Sequence, residues 1–151
     1  MTNNDKKGNS CNLSFFSPSE WTGAPISVIG NLVPAGFPSP ADDFMEPSLN
    51  LHQLVVKNPA ATFFVRVVGD SMRNAGISSG DILVVDRSIA PREGKIVVAV
   101  VDGEFTVKRM HYDADGHIVL APENDAYPSI KIAEGSHFEV WGVVAYVIHK
   151  T

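Results

Sequence analysis

Three short segments of the chain could together hydrolyse a peptide bond. Ser71 lies in Gly-Asp-Ser-Met, Lys108 lies in Glu-Phe-Thr-Val-Lys-Arg, and the pair Ala35-Gly36 lies in a proline-rich stretch. A serine hydroxyl can act as a nucleophile, a neutral lysine amine can act as its base, and two small residues make an accessible scissile bond. The combination predicts a chain that cuts itself.

The residues around Ser71 predict a junction between a strand and a helical turn. Gly69 and Asp70 end an apolar run, and residues 71–75 can begin a helical turn before Gly76. Such a junction exposes a hydroxyl and directs backbone N–H groups toward whatever lies in front of it, which suits a nucleophile and an oxyanion hole. A serine in Gly-Asp-Ser is more often a turn or cap residue, so this motif alone does not decide its role.

Lys108 lies on a predicted strand with two distinct faces. It shares one face with Met110, whereas Arg109 lies on the other. An exposed lysine with a pKa of about 10.4 is deprotonated in only about one molecule in 10³ at neutral pH. Burial in an apolar site lowers a lysine pKa by as much as about 3–5 and gives a neutral amine. The hypothesis therefore requires Lys108 to be buried.

Five histidines offer a rival Ser-His-Asp arrangement. None lies in a recognisable motif, and all lie near predicted strand ends or loops: they are His52, His111, His117, His137 and His149. Histidine pairs with metal-ligand spacing, a calcium loop and a Gly-rich phosphate loop are all missing from the sequence. We therefore rank the Ser-Lys pair above the histidines and predict no metal and no cofactor.

Composition limits the class of protein. The chain has 151 residues, 44% of them hydrophobic, and a formal net charge of −5, which allows one domain with a core plus a tail. A net negative charge disfavours binding to the phosphate backbone of nucleic acids, so we expect no direct sequence-specific DNA binding. The single Cys11 indicates a reducing compartment. No apolar run reaches the roughly 20 residues of a membrane span, so we expect a cytoplasmic protein without a membrane anchor.

The pattern changes along the chain from an arm to a β-rich body. Residues 1–47 show no sustained periodicity and are rich in Asn, Ser, Gly and Pro, which predicts an extended arm. A short helix is expected after Asn50, with Gln53 completing a capping pattern. An Asp102-Gly103 pair between two apolar runs predicts a hairpin. Strands are predicted over residues 61–68, 81–86, 95–101, 104–110, 117–121, 130–132 and 139–148.

Five collinear motifs carry a family resemblance. They are Gly-Phe-Pro-Ser-Pro-Ala, Gly-Asp-Ser-Met, Gly-Ile-Ser-Ser-Gly-Asp, Asp-Gly-Glu-Phe-Thr-Val-Lys and Trp-Gly-Val-Val, beginning at Gly36, Gly69, Gly76, Asp102 and Trp141. Together they resemble UmuD-like members of the LexA/UmuD family of self-cleaving Ser-Lys peptidases, over residues 32–149. The resemblance implies a mainly β, antiparallel LexA-like peptidase fold with little helix, preceded by the extended arm.

The resemblance also implies the roles of the site residues. Ser71 is the implied nucleophile, Lys108 the implied general base, and Ala35-Gly36 the bond that is cut. By the same resemblance, the backbone N–H groups of Asp70 and Ser71 hold the oxyanion. The implied division is an arm of residues 1–35 that cleavage removes, a cleavage-site linker of residues 36–48, and a peptidase and dimerisation domain of residues 49–151.

A role in the SOS response to DNA damage follows from the same resemblance. It implies that a RecA filament on single-stranded DNA promotes self-cleavage. The shortened homodimer is then expected to join a Y-family polymerase subunit as the accessory subunit of an error-prone translesion polymerase.

Other function classes remain as alternatives. A LexA-like repressor fragment would need a helix-turn-helix head, and the residues before Ala35 contain no amphipathic helices of that kind. A membrane-tethered signal peptidase also uses serine and lysine but needs an apolar anchor. A non-catalytic polymerase-binding subunit, in which Ser71 and Lys108 are structural, would stay uncut at alkaline pH.

Overall fold

The structure, a computed structural model, describes residues 14–17, 26–29, 36 and 45–151. Cys11, Ala35 and most of the predicted arm lie outside these residues. The chain divides into one unit of Met1–Pro18 with Asn58–Thr151 and a second unit of Ser19–Lys57.

Ten strands and one short α-helix make up the described elements. The helix is α1 (Leu51–Val55). The strands are β1 (Ser14–Phe16), β2 (Ile26–Ile29), β3 (Met45–Leu49), β4 (Thr62–Arg66), β5 (Ile82–Asp86), β6 (Ile96–Val101), β7 (Glu104–Tyr112), β8 (Ile118–Ala121), β9 (Ile130–Lys131) and β10 (Phe138–Ile148). Two 3₁₀ turns, Pro59–Ala61 and Arg73–Ala75, complete them.

The larger unit is built on one antiparallel sheet. Within the described residues its strand order is β1-β4-β5-β10-β6-β7-β8-β9, and every neighbouring pair is antiparallel. The turn between β6 and β7 holds Asp102 and Gly103 with φ of 48° and 85°, the left-handed pair that a tight hairpin requires. The predicted mainly antiparallel β fold with little helix is therefore confirmed.

The smaller unit contains the β2–β3 ribbon and α1. The two strands pair antiparallel, and Asn50 caps the helix because its Oδ1 accepts a hydrogen bond from the Gln53 N–H at 3.1 Å. The predicted capped helix is confirmed. No helix of the described residues has the length and apolarity needed to cross a membrane.

Strands β1, β2 and β3 fall in the stretch that was expected to be an arm without regular structure. They contain three, four and five residues, which is too short for an alternating pattern to stand out. Their pairing depends on distant residues: Phe15 lies opposite Val65, 50 positions further along the chain. The sequence alone therefore did not reveal them.

Among the described residues, the core consists of two clusters that use opposite faces of β6 and β7. Val97 and Val98 are neighbours on β6 but belong to different clusters, as the alternation of a strand requires. The first cluster also contains Met72 and Ile77, which are 2% and 1% exposed and lie on either side of the Arg73–Ala75 turn. Their burial fastens the segment that carries Ser71 to the sheet.

The central strand β10 bends at two irregularities in its pairing. The register against β6 shifts between Val140 and Gly142, and the register against β5 shifts between Val144 and Tyr146. At the first shift the backbone of Gly142 lies against β5. A Cβ on Gly142 would be 2.7 Å from Val85 Cγ1 and 3.3 Å from Asp86 O. Glycine is required there because β5 lies too close to the Gly142 backbone to leave room for a side chain.

Replacing Gly142 tests this packing. Gly142→Ala should lower the free energy of unfolding by about 1–3 kcal/mol, because a methyl group must displace buried neighbours. Urea unfolding followed by circular dichroism measures the change. Gly36→Ala is the matched control, since no atom lies within 4 Å of a Cβ at that position. Equal stability of the two variants would contradict the close approach of β10 to β5.

Candidate active site

Ser71 and Lys108 meet in the interior of the larger unit. Lys108 Nζ lies 3.3 Å from Ser71 Oγ, within hydrogen-bond distance, although 37 positions separate the residues. Ser71 is 6% exposed and Lys108 is 7% exposed. Strand β7 carries the lysine, and the segment between β4 and the Arg73–Ala75 turn carries the serine. A neutral amine at this position could take the hydroxyl proton directly.

Two further contacts hold the Lys108 amine in place. Nζ donates to Thr106 Oγ1 at 2.8 Å and to the Val107 carbonyl at 3.1 Å. Thr106 and Lys108 are two positions apart on β7 and therefore point to the same face. Thr106 was not among the predicted site residues. The signal that could have found it is this spacing of a hydroxyl residue two positions before the lysine.

The turn that carries Ser71 forms for local reasons. Gly69 adopts φ of 106°, a conformation that side-chain-bearing residues rarely adopt. The predicted helical turn is a 3₁₀ turn over Arg73–Ala75, which ends at Gly76 with φ of 78° and its N–H bonded to the Arg73 carbonyl. Ser71 lies between these two glycine-dependent bends.

A polar segment over residues 123–127, which follows β8, holds the Ser71 turn. The Glu123 N–H donates to the Ser71 carbonyl at 2.9 Å, and the Asn124 Nδ2 donates to the Asp70 carbonyl at 2.9 Å. The Tyr127 hydroxyl donates to Asp70 Oδ1 at 2.6 Å. Asn124 is itself only 7% exposed. The residues of this segment lie between the predicted strands of residues 117–121 and 130–132, and none of them was among the predicted site residues.

Asn124 also sets the direction of one backbone donor. The carbonyl of Asp70 and the N–H of Ser71 belong to the same planar trans peptide group, so they point in opposite directions. Because Asn124 binds that carbonyl, it determines where the Ser71 N–H points.

The same segment also contacts the strand of the lysine. The Glu123 carboxylate forms an ion pair with Arg109 Nε, and Arg109 directly follows Lys108 on β7. A second bond, from Arg109 Nη1 to the Gly94 carbonyl at 2.6 Å, fixes the guanidinium. Glu123 therefore contacts both the turn that carries the Ser71 hydroxyl and the strand that carries the Lys108 amine.

A cleft of about 450 Å³ opens beside Lys108. Thr106 and Lys108 lie on its wall, together with the apolar side chains of Phe105 and Ile130. Its size suits a short extended peptide with small side chains. Gly36 is exposed within the smaller unit, and Ala35 lies outside the described residues.

Comparison with known proteins identifies the family. Residues 27–145 match the family model described as peptidase S24-like, which is most of the chain. The chain belongs to the peptidase S24 family. This match and the relatives described next confirm the resemblance to the LexA/UmuD family, together with the prediction of a UmuD-like, self-cleaving protein of SOS mutagenesis.

Three relatives in this family illustrate the similarity. Protein SamA of Salmonella typhimurium is 50% identical over 118 residues, which cover 78% of this chain and 81% of that protein. Protein ImpA of Escherichia coli is 46% identical over 117 residues, or 78% of this chain and 79% of that protein. Protein MucA of Escherichia coli is 44% identical over 115 residues, with coverage of 76% and 77%.

Two of the histidines considered as rivals for the base bind carboxylates elsewhere. His149 Nδ1 lies 2.6 Å from the buried Asp81 carboxylate. His111 Nδ1 lies 2.5 Å from Glu93, and this hydrogen bond lowers the pKa of Glu93. Within the described residues, the side chain bonded to Ser71 Oγ is that of Lys108.

One cluster of possible metal ligands lies away from this site, on the turn between β7 and β8. Donor atoms of Asp113, Asp115 and His117 lie within 4.8 Å of one another. The Lys131 ammonium is 2.8 Å from the Asp113 carboxylate and holds the pKa of that carboxyl well below its usual value. Lysine therefore already supplies a positive charge to this cluster.

Removing the Asn124 side chain tests its hold on the turn. Asn124→Ala deletes the donor to Asp70 and the acceptor for the Ala126 N–H at 3.0 Å. We expect a loss of about 1–3 kcal/mol in unfolding free energy and faster amide hydrogen exchange at residues 70–72. Mass spectrometry of exchanged peptides measures the second effect. Asp125→Ala, an exposed neighbour in the same segment, should change neither; unchanged exchange in the Asn124 variant would contradict its role.

Proposed function

We propose that Ser71 and Lys108 form a catalytic dyad that hydrolyses the bond between Ala35 and Gly36 of the chain itself. The observation that carries this proposal is the buried contact of 3.3 Å between Nζ and Oγ. A surface lysine would be solvated and charged, whereas burial disfavours the charged form and so favours a neutral amine that can accept a proton. Membership of a self-cleaving serine peptidase family supports the same reaction.

The proposed reaction runs in two stages. Lys108 takes the proton from Ser71 Oγ, which attacks the Ala35 carbonyl carbon, and the ammonium then protonates the Gly36 nitrogen as the peptide bond breaks. Water next attacks the Ala35 acyl ester with Lys108 again as base, which releases residues 1–35 and restores the serine. The backbone N–H groups of Asp70 and Ser71 hold the oxyanion in each stage.

Self-cleavage needs little assistance beyond correct placement of the scissile bond. A well-oriented reaction between groups already held together has an effective molarity on the order of 10⁵ M or more. The step open to regulation is therefore the docking of the Ala35-Gly36 segment in the cleft beside Lys108. We propose that a RecA filament on single-stranded DNA promotes that docking.

The product of cleavage has a proposed role in a larger assembly. We propose that residues 36–151, with a linker to residue 48 and a domain from residue 49, act in the cytoplasm as a homodimer. This dimer joins a Y-family polymerase subunit in translesion synthesis. The similarity to SamA, ImpA and MucA supports this assignment, and the net charge of −5 favours a protein partner over direct DNA binding.

Removing either member of the dyad should abolish cutting without unfolding the protein. Purified wild-type chain incubated at about pH 9–10 should lose residues 1–35, as measured by intact-mass spectrometry. Ser71→Ala and Lys108→Ala should each slow this reaction by about 10²–10⁴-fold or more, since each removes one partner of the proton transfer. Ser129→Ala and Lys95→Ala, at exposed positions, are the controls and should cut normally. Cutting at the same bond at close to the wild-type rate in either dyad variant would refute the proposal.

The rate of cutting should rise with pH. Because the base must be the neutral amine, the first-order rate should rise about tenfold per pH unit until Lys108 is deprotonated, and then level off. Gel densitometry between about pH 5 and 10, with circular dichroism to check folding, gives this profile. A rate that stays constant over this whole range would exclude a lysine base.

A further inference from the structure

Strand β1 packs on a cluster of aromatic rings on the sheet of the larger unit. Phe15 pairs with Val65 of β4 in the backbone ladder. Its ring centre lies 4.7 Å from that of Phe105, 5.7 Å from that of Trp141 and 6.0 Å from that of Phe63. Phe15 nevertheless remains 37% exposed. The strand therefore covers this aromatic surface only partly.

A cavity continues this surface beyond the end of β1. The three residues of β1 pair with Phe64, Val65 and Arg66, whereas β4 begins two positions earlier, at Thr62. Beside that first part of β4 lies a cavity of about 290 Å³, whose wall includes Thr62, Phe63 and Trp141. This volume can hold an aromatic side chain.

A cation faces the same cavity. The Arg87 guanidinium lies 5.3 Å from the centre of the Phe63 ring and 5.0 Å from that of the Trp141 ring, and Arg87 also lines the cavity. A guanidinium over aromatic faces is a favourable arrangement. An aromatic side chain bound in the cavity would place one more ring beside Arg87.

The sequence of the chain itself fits this cavity poorly. Ser17 follows Phe16, and alternation along a strand places it on the same side as Phe15. Ser17 also lines the cavity, so a small hydroxyl residue faces a space that suits a ring. The next residue, Pro18, has no N–H to donate to an extended ladder.

We infer that this surface, which we call the β4 groove, is a docking site for an extended segment of a partner protein. The β4 groove consists of β4 and the side chains of Phe63, Arg87, Phe105 and Trp141. The partner segment pairs with β4 as an added strand and carries two aromatic side chains at alternate positions. One takes the place of Phe15, and the other fills the cavity that Ser17 faces.

The departure of β1 from the β4 groove rests on the proposed function. Cleavage after Ala35 makes β1 part of a separate fragment, so its binding loses the high effective concentration of a tethered segment. A contact of three paired residues is then too small to compete with a longer strand that adds a second ring. The groove is occupied by the chain's own β1 before cleavage and by the partner afterwards.

Peptide binding tests the groove without any need for cleavage. All proteins carry Ser71→Ala and so stay at full length, and Phe15→Ala opens the groove. The probes are two fluorescein-labelled peptides, one with the sequence of residues 12–18 and one with Ser17→Trp and Pro18→Val in that sequence. Fluorescence anisotropy should show that the second peptide binds the Phe15→Ala chain about tenfold or more tighter than the first. It should bind the chain that retains Phe15 about tenfold more weakly.

Two variants decide whether binding occurs in the groove. Adding Trp141→Ala should weaken binding of the second peptide about tenfold, whereas adding Tyr146→Ala, an exposed ring elsewhere on β10, should leave it unchanged. Equal affinity for the two peptides, or binding that is insensitive to Trp141→Ala, overturns the inference. Sedimentation showing that Phe15→Ala chains dimerise and thereby block the peptide would assign the groove to a second copy instead. If Phe15→Ala does not fold, Phe15→Leu keeps an apolar residue and removes the ring.

Because no chain in this experiment can use Ser71, its result is independent of the dyad and of the bond that is cut. Failure of the peptides to bind would overturn the groove alone, and failure of the wild-type chain to cut would overturn the proposed function alone.

Discussion

The contact between the Lys108 amine and the Ser71 hydroxyl is the interaction on which the rest of the site depends. A lysine that is 7% exposed has lost most of the water that would solvate its charge. Polar protein atoms, Thr106 Oγ1 and the Val107 carbonyl, replace part of that water. Since the charged form is costly in such a place, the position itself favours the amine that the proposed reaction uses.

Holding two groups 3.3 Å apart requires rigid supports on both sides. Lys108 lies within β7, which pairs with β6 on one side and with β8 on the other. The serine lies on a turn, which would be the weaker support if it were held only by its own backbone. Burial of Met72 and Ile77 and the hydrogen bonds from residues 123, 124 and 127 to the turn compensate for this. The salt bridge from Glu123 to Arg109 links the turn to β7.

The position of β1 gives the arm a structural role besides that of the proposed substrate. It supplies an edge strand and a phenylalanine ring to the larger unit, so its loss would expose both unpaired backbone and aromatic surface. Exposed sheet edges are ready to pair with another strand. Under the proposed cleavage, loss of the arm therefore creates a binding surface in the same step. The cavity of about 290 Å³ beside β1 indicates which side chains that surface favours.

Local features of the sequence determined most of the elements and the types of chemistry available. Apolar runs located β4 to β10, although β7 continues to Tyr112 rather than Met110 and β4 stops at Arg66 rather than residue 68. Asp102-Gly103 located the hairpin and Asn50 the helix start. Ser71 and Lys108 could be singled out by residue type and motif. These features act over a few residues, so they are visible without the fold.

Only the tertiary structure decided which distant residues meet. The contact of Lys108 with Ser71 spans 37 positions, and that of Asn124 with Asp70 spans 54. The three residues of β1 form a strand only because they pair with the edge of β4. Such contacts depend on strand order, register and burial of the whole sheet, which no local pattern encodes. For that reason, the sequence singled out Ser71 and Lys108 as candidates, and the fold showed which residues hold them together.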